Sequence, residues 1–138
     1  ALAAGHMEKV TRFLGHPFHL TGSVVRGAGR GKSLGFPTAN LSYAPDQALP
    51  ADGIYATCVR ILAEETRNSV TSIGVRPTFG ESQRTVEAFI FDFNRELYGQ
   101  TITLEFVQRL RDEEKFPSPQ ALQAQMVRDV EQARAVLQ

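Results

Sequence analysis

Gly53-Ile-Tyr-Ala-Thr-Cys-Val-Arg-Ile-Leu62 reads as a strand that is apolar on both faces: Ile54, Ala56 and Cys58 alternate with Tyr55, Thr57, Val59 and Ile61. A sheet with one wet side alternates apolar with polar. A strand apolar on both sides favours a closed barrel instead.

The flanking sequence repeats the signal. Strands are expected at 18–20 running on to 24–25, at 69–74, at 85–93 and at 101–110, where Ile102, Leu104 and Phe106 are in phase, with a short sixth strand around Leu41. No intervening segment has the length of a crossover helix, so the sheet should be mostly antiparallel. Before it, residues 6–14 form a short helix candidate with Met7, Val10, Phe13 and Leu14 on one stripe, Gly15 as its stop and Pro17 just beyond. After Phe116-Pro117-Ser118-Pro119, Ser118 is a good N-cap and Pro119 a good first helical residue. Leu122, Met126, Val130, Ala133 and Leu137 then recur at helical spacing. A closing helix of about 20 residues should pack on the barrel. The stretch 44–52 reads as an ordered, proline-bearing loop.

At 138 residues the chain is one domain by length, able to bury roughly two thirds of its unfolded surface without staples. Cys58, the single cysteine, lies in an apolar run and reads as a small core residue, consistent with a reducing compartment. Fifteen basic and fifteen acidic side chains cancel, so no global field draws in nucleic acid or a membrane. No apolar stretch nears the roughly 20 residues of a membrane span, and no signal-peptide layout is present, which gives a cytoplasmic expectation. The start at Ala1 rather than methionine reads as a piece of a longer protein. Gly5-His6-Met7 resembles a cloning scar, but helical spacing continues through it and it is taken as native.

The chemistry is concentrated in Gly27-Ala-Gly-Arg-Gly-Lys-Ser-Leu-Gly-Phe-Pro-Thr-Ala-Asn-Leu41. Gly27, Gly29 and Gly31 clear backbone N–H groups for an anion, Arg30 and Lys32 add charge, and Thr38 and Asn40 offer neutral oxygens suited to Mg2+. This is not a Walker A loop, because the required first glycine is Arg26. It is not a dinucleotide fingerprint, because Lys32 or Leu34 stands where the third glycine belongs. Glycine spacing alone fits a flexible hairpin tip equally well. The abrupt Leu34-Gly35-Phe36-Pro37 ending favours a built Mg-nucleotide site.

Glu87 is the most informative carboxylate. In Thr85-Val-Glu-Ala-Phe-Ile-Phe-Asp-Phe93 it shares a face with Phe89, Phe91 and Phe93, opposite Val86, Ala88 and Ile90. Periodicity leaves two readings: it points outward at the strand end, or it is a partly buried carboxylate with a raised pKa and a proton to handle. Asp92 fits turn chemistry. His6, His16 and His19 show no ligand spacing and no nucleophile beside them. The run 109–116 is a solvated loop on composition, although Phe116 could clamp a flat ligand. Ser72-Ile-Gly-Val-Arg-Pro-Thr-Phe-Gly80 reads as a turn-rich loop whose Arg76 is either a phosphate partner or a surface cation.

These segments together resemble the riboflavin kinase (flavokinase) module, in bacteria the C-terminal part of bifunctional FAD synthetase. The resemblance rests on the 27–41 stretch, Gly53-Ile-Tyr-Ala56, Ser72-Ile-Gly-Val-Arg-Pro-Thr-Phe79, Val86-Glu87, Asp92-Phe93 with Leu97-Tyr-Gly99, and Leu110-Arg-Asp-Glu-Glu-Lys-Phe116 with Ser118. It implies an all-β fold, a six-stranded antiparallel Greek-key barrel with a C-terminal helix, over 16–138, preceded by a connector helix over 1–15. The implied activity is transfer of the γ-phosphoryl group of ATP to the 5′-hydroxyl of riboflavin, giving FMN, with small-molecule substrates and a covalently linked FMN adenylyltransferase module upstream. Residue by residue, the resemblance makes Glu87 the general base and gives Thr38 and Asn40 to Mg2+. It places Gly27, Gly29, Arg30, Gly31, Lys32, Gly35 and Pro37 around the nucleotide, and Arg111 to Phe116 over the flavin. Phe89 stands where many members carry histidine.

Two other classes fit these residues less well. A non-catalytic flavin- or nucleotide-binding barrel would have no need of the Thr38, Asn40 and Glu87 set. An oligonucleotide-binding barrel would call for a basic stripe with exposed aromatics, against the neutral charge balance.

Overall fold

The computed structural model describes residues 5–25, 38–44, 46–62, 65–78, 81–93 and 97–137. Helix α1 (Met7–Leu14) leads into strands β1 (Phe18–Val25), β2 (Ala39–Ser42), β3 (Gly53–Leu62), β4 (Glu65–Thr78), β5 (Glu81–Ile90) and β6 (Thr101–Arg111), and helix α2 (Pro119–Val136) closes the chain. The strands form one closed barrel in the order β1-β2-β5-β4-β3-β6, every pairing antiparallel. β3, β4 and β5 form a meander and β6 returns beside β3, which is a Greek key.

The two apolar faces of β3 have different partners. Tyr55, Val59 and Ile61 point inward, joining Leu20, Leu41, Ile73, Val86, Ile102, Leu104 and Phe106 in the barrel core. Ala56 points outward into a second cluster with Phe91 and Ala133 of α2, bordered by Val70, Phe89, Leu110 and Val130. Barrel closure buries the inner face and α2 covers part of the outer one. Three hydroxyls are also buried inside, where Thr57 Oγ1 lies 2.6 Å from Ser69 Oγ and 2.8 Å from Thr71 Oγ1. Mutual pairing avoids the cost of desolvating each alone.

Helix α2 begins as its sequence dictates, with Ser118 extended, its side chain accepting from the Ala121 N–H at 3.1 Å, and Pro119 in the first turn. At α1 the expected stripe is only half realised. Met7 and Val10 enter the barrel core, but Phe13 is 85% and Leu14 49% exposed, because the last turn runs past the apolar cluster before Gly15 (φ 78°) ends the helix.

Three other expectations are corrected. The expected loop at 72–80 is strand as far as Thr78, drawn into a long hairpin by pairing with β5. The strand expected over 85–93 stops at Ile90, and Asp92 takes a left-handed turn (φ 53°). Cys58 is half-buried on the outer face rather than in the core, its thiol 3.8 Å from Asn68 Oδ1.

Candidate functional site

One row of directly opposed residues crosses all six strands: Val25, Asn40, Glu87, Ser72, Ile54 and Arg111. Directly opposed residues share a face, with Cβ atoms about 4.5–5.5 Å apart. Val86 and Ala88 are buried in the core, so the row lies on the outer surface. Neither reading open for Glu87 is met as a whole: it faces outward, but it is only partly exposed. It stands half-exposed between Asn40 and Ser72 rather than at a strand end.

The described residues that flank the 26–37 stretch lie at the same row. Val25 ends β1, half-buried Thr38 immediately precedes β2, and Val25 pairs with Asn40. Gly27, Gly29, Arg30, Gly31, Lys32, Gly35 and Pro37 lie outside the described residues, as does the Arg76 side chain. Thr38 and Asn40 present hard oxygen donors, which fits Mg2+, an ion usually held by one or two protein oxygens with phosphate and water. Among the described residues no three His, Cys, Asp or Glu side chains converge as an all-protein metal site.

The far end of the row is shaped by an irregularity. Tyr55 pairs with Arg109 and Ile54 with Arg111, so Leu110 is an extra residue in β6 and breaks its alternation. Two arginines two residues apart therefore face opposite sides. Arg109 turns in beside Gly5, Gly53 and Tyr55, donating to the Asp52 carbonyl at 2.6 Å and to Asp112 Oδ1 at 2.7 Å. The Asp112 hydrogen bond raises the Arg109 pKa, and burial raises that of Tyr55.

Arg111 turns out under α2, donating from Nε and Nη2 to the two oxygens of Asp129, each at 2.8 Å, and from Nη1 to the Asp112 carbonyl at 2.8 Å. Its guanidinium lies 5.8 Å from the Phe116 ring centroid. The bidentate pair is well shielded, with side chains 16% and 5% exposed, and Gln125 also donates to Asp129 at 2.9 Å. Arg111 is thus committed to anchoring the start of the 112–116 segment. Asp129 was missed in the sequence, although its signal is there: it falls in phase with Leu122, Met126 and Ala133, an acid within an apolar stripe.

Glu113 was missed as well. Its carboxylate accepts from Ser72 Oγ at 3.4 Å and lies over Gly74, where an added Cβ would run into both oxygens. Asn40, Glu87, Ser72 and Glu113 together make a polar outer patch beside Val25.

The family model for riboflavin kinase (flavokinase) matches residues 14–137. The chain belongs to the riboflavin kinase family. A bifunctional riboflavin kinase/FMN adenylyltransferase of Haemophilus influenzae is 38% identical over 98% of the chain and 44% of its own length. The protein of the same description from Bacillus subtilis is 38% identical over 96% of the chain and 43% of its length. The chain therefore spans less than half the length of these curated relatives.

Among solved structures, riboflavin kinase from Trypanosoma brucei superposes with a TM-score of 0.61 at 27% identity, covering 88% of this chain and 80% of that one. A Streptococcus pneumoniae structure described as a macrolide-efflux protein superposes at 0.90 and 36% identity, over 97% and 44%. Among the described residues no helix is long and apolar enough to cross a membrane. The family match at 14–137 spans all six strands and the closing helix.

Proposed function

We propose that the chain transfers the γ-phosphoryl group of ATP to the ribityl 5′-hydroxyl of riboflavin, giving FMN and ADP. The observation that carries the reading is the direct pairing of Asn40 with both Glu87 and Val25, the last described residue before the 26–37 stretch. Phosphoryl transfer asks a protein mainly for positioning and charge neutralisation, and a carboxylate directly opposed to a hard amide oxygen supports that reading.

Glu87 accepts the 5′-hydroxyl proton as that oxygen bonds to the γ-phosphorus. The bond from the γ-phosphorus to the β–γ bridging oxygen breaks, and its electron pair leaves with ADP. Thr38 and Asn40 would hold Mg2+, which when bound neutralises charge on the phosphates. Gly27, Gly29, Arg30, Gly31, Lys32, Gly35 and Pro37 serve the nucleotide. The 112–116 segment, anchored by Arg111, covers the flavin with Phe116.

In the longer protein an FMN adenylyltransferase module would precede this one, with α1 as the connector and the cytoplasm as the site of action. That proposal rests on the two activities named for the curated relatives. The test is incubation of the chain with riboflavin, ATP and Mg2+, followed by chromatography. FMN without FAD is expected. ATP breakdown without FMN, or no turnover of riboflavin, would overturn the reading, and FAD formation would overturn the separation of the two activities.

A further inference from the structure

The patch contains a second carboxylate, Glu113, for which the mechanism above has no use. Gly74 is buried on the outer face of β4, and what covers it is this carboxylate. The backbone at Gly74 is not left-handed, so the constraint there is space rather than conformation. Ser72, two residues earlier on the same face, donates to Glu113 Oε1 and directly opposes Glu87.

The 112–116 segment is tied at its start to β6 and α2, through Asp112 with Arg109 and Arg111 with Asp129, and at its end by the Ser118 cap. Glu113 ties it across to β4. We infer that Glu113 is a positioning residue for the flavin substrate: its carboxylate, seated in the notch at Gly74 and held by Ser72, fixes the 112–116 segment and Phe116 over the acceptor site beside Glu87.

The inference builds on the kinase reading and predicts a specific kinetic split. Loss of the seat should weaken capture of riboflavin without altering the chemical step or Mg-ATP binding. Gly74→Ala fills the notch while leaving the charge in place, and Glu113→Ala removes the carboxylate. Each is expected to raise the riboflavin KM about tenfold with kcat within about threefold, and the double variant should be no worse than either single, since both remove one contact. Glu113→Gln retains an acceptor for Ser72 and should recover most of the affinity.

A readout independent of turnover is available at Lys115, one of only three lysines with Lys9 and Lys32. Cleavage after Lys115 by a lysine-specific protease should be about tenfold faster in both single variants, relative to cleavage after Lys9, through easier local opening. If the parent makes no FMN, the kinase reading fails while the cleavage rates still decide whether the seat exists. Unchanged cleavage after Lys115, or KM effects that multiply to about a hundredfold in the double variant, would overturn the inference. So would a fall in kcat at constant riboflavin KM.

Discussion

The inner and outer faces of the barrel divide the work between them. Inside, the hydroxyls of Thr57, Ser69 and Thr71 satisfy one another among fully buried apolar side chains. Outside, one row carries an amide, a carboxylate, a hydroxyl and a guanidinium, and it begins at Val25, which precedes the 26–37 stretch. A closed barrel keeps its stability where substrate cannot reach, which frees the outer surface for chemistry. The division also explains why both faces of β3 are apolar, since α2 covers the part of the outer surface that the site does not use.

The largest effect is expected where the outer face is itself structural. Asp129→Ala would strand the shielded Arg111 guanidinium, and breaking one side of such a pair costs about 3–5 kcal/mol. Chemical denaturation should show that loss. A loss below about 1 kcal/mol would mean that the pair is screened like a surface ion pair.

Next comes the inner face. Leu104 is fully buried in the barrel core, and Leu104→Ala is expected to cost about 2–5 kcal/mol while leaving kcat near the parent value well below Tm. A comparable fall in kcat with little loss of stability would break the division between the two faces.

The smallest effect appears at alkaline pH. Burial is the main cause raising both the Tyr55 hydroxyl and the Cys58 thiol above their ordinary values of 10.0 and 9.0. Above those ordinary values the unfolded chain releases protons that the folded chain still holds, so stability should fall as pH rises from about 9. Thermal melts of parent and Cys58→Ser should show a shallower onset of that fall in the variant. An identical pH dependence would remove Cys58 from the explanation.

The barrel was legible because alternation over 53–62 and 101–106 reports burial directly, and Ser118-Pro119 reports a helix start. The polar row was only partly legible. Glu87 and Asn40 stand out in sequence, but that they are opposed depends on the register between β2 and β5. Arg109 and Arg111 would share a face in a regular strand, and only the extra residue Leu110 sends them to opposite sides. The 72–80 segment reads as turn-rich, yet it is strand as far as Thr78. Among the described residues β4 pairs beyond Ile73 only with β5, so Pro77 lies in a two-stranded ribbon there, where a missing N–H is tolerated. Glu113 gave no periodic signal, because its partner is a glycine 39 positions earlier, and what matters there is the absence of a side chain.

The central claim is that the outer row carries the chemistry through Glu87. Glu87→Gln preserves size and removes the basic oxygen, so the decisive measurement is single-turnover FMN formation by this variant at saturating riboflavin and Mg-ATP, with Tm recorded on the same sample. A positioned base contributes about 10²–10⁴-fold, and a loss in that range at unchanged Tm is the expected result. A rate within about threefold of the parent would contradict the account, whatever happens to Tm.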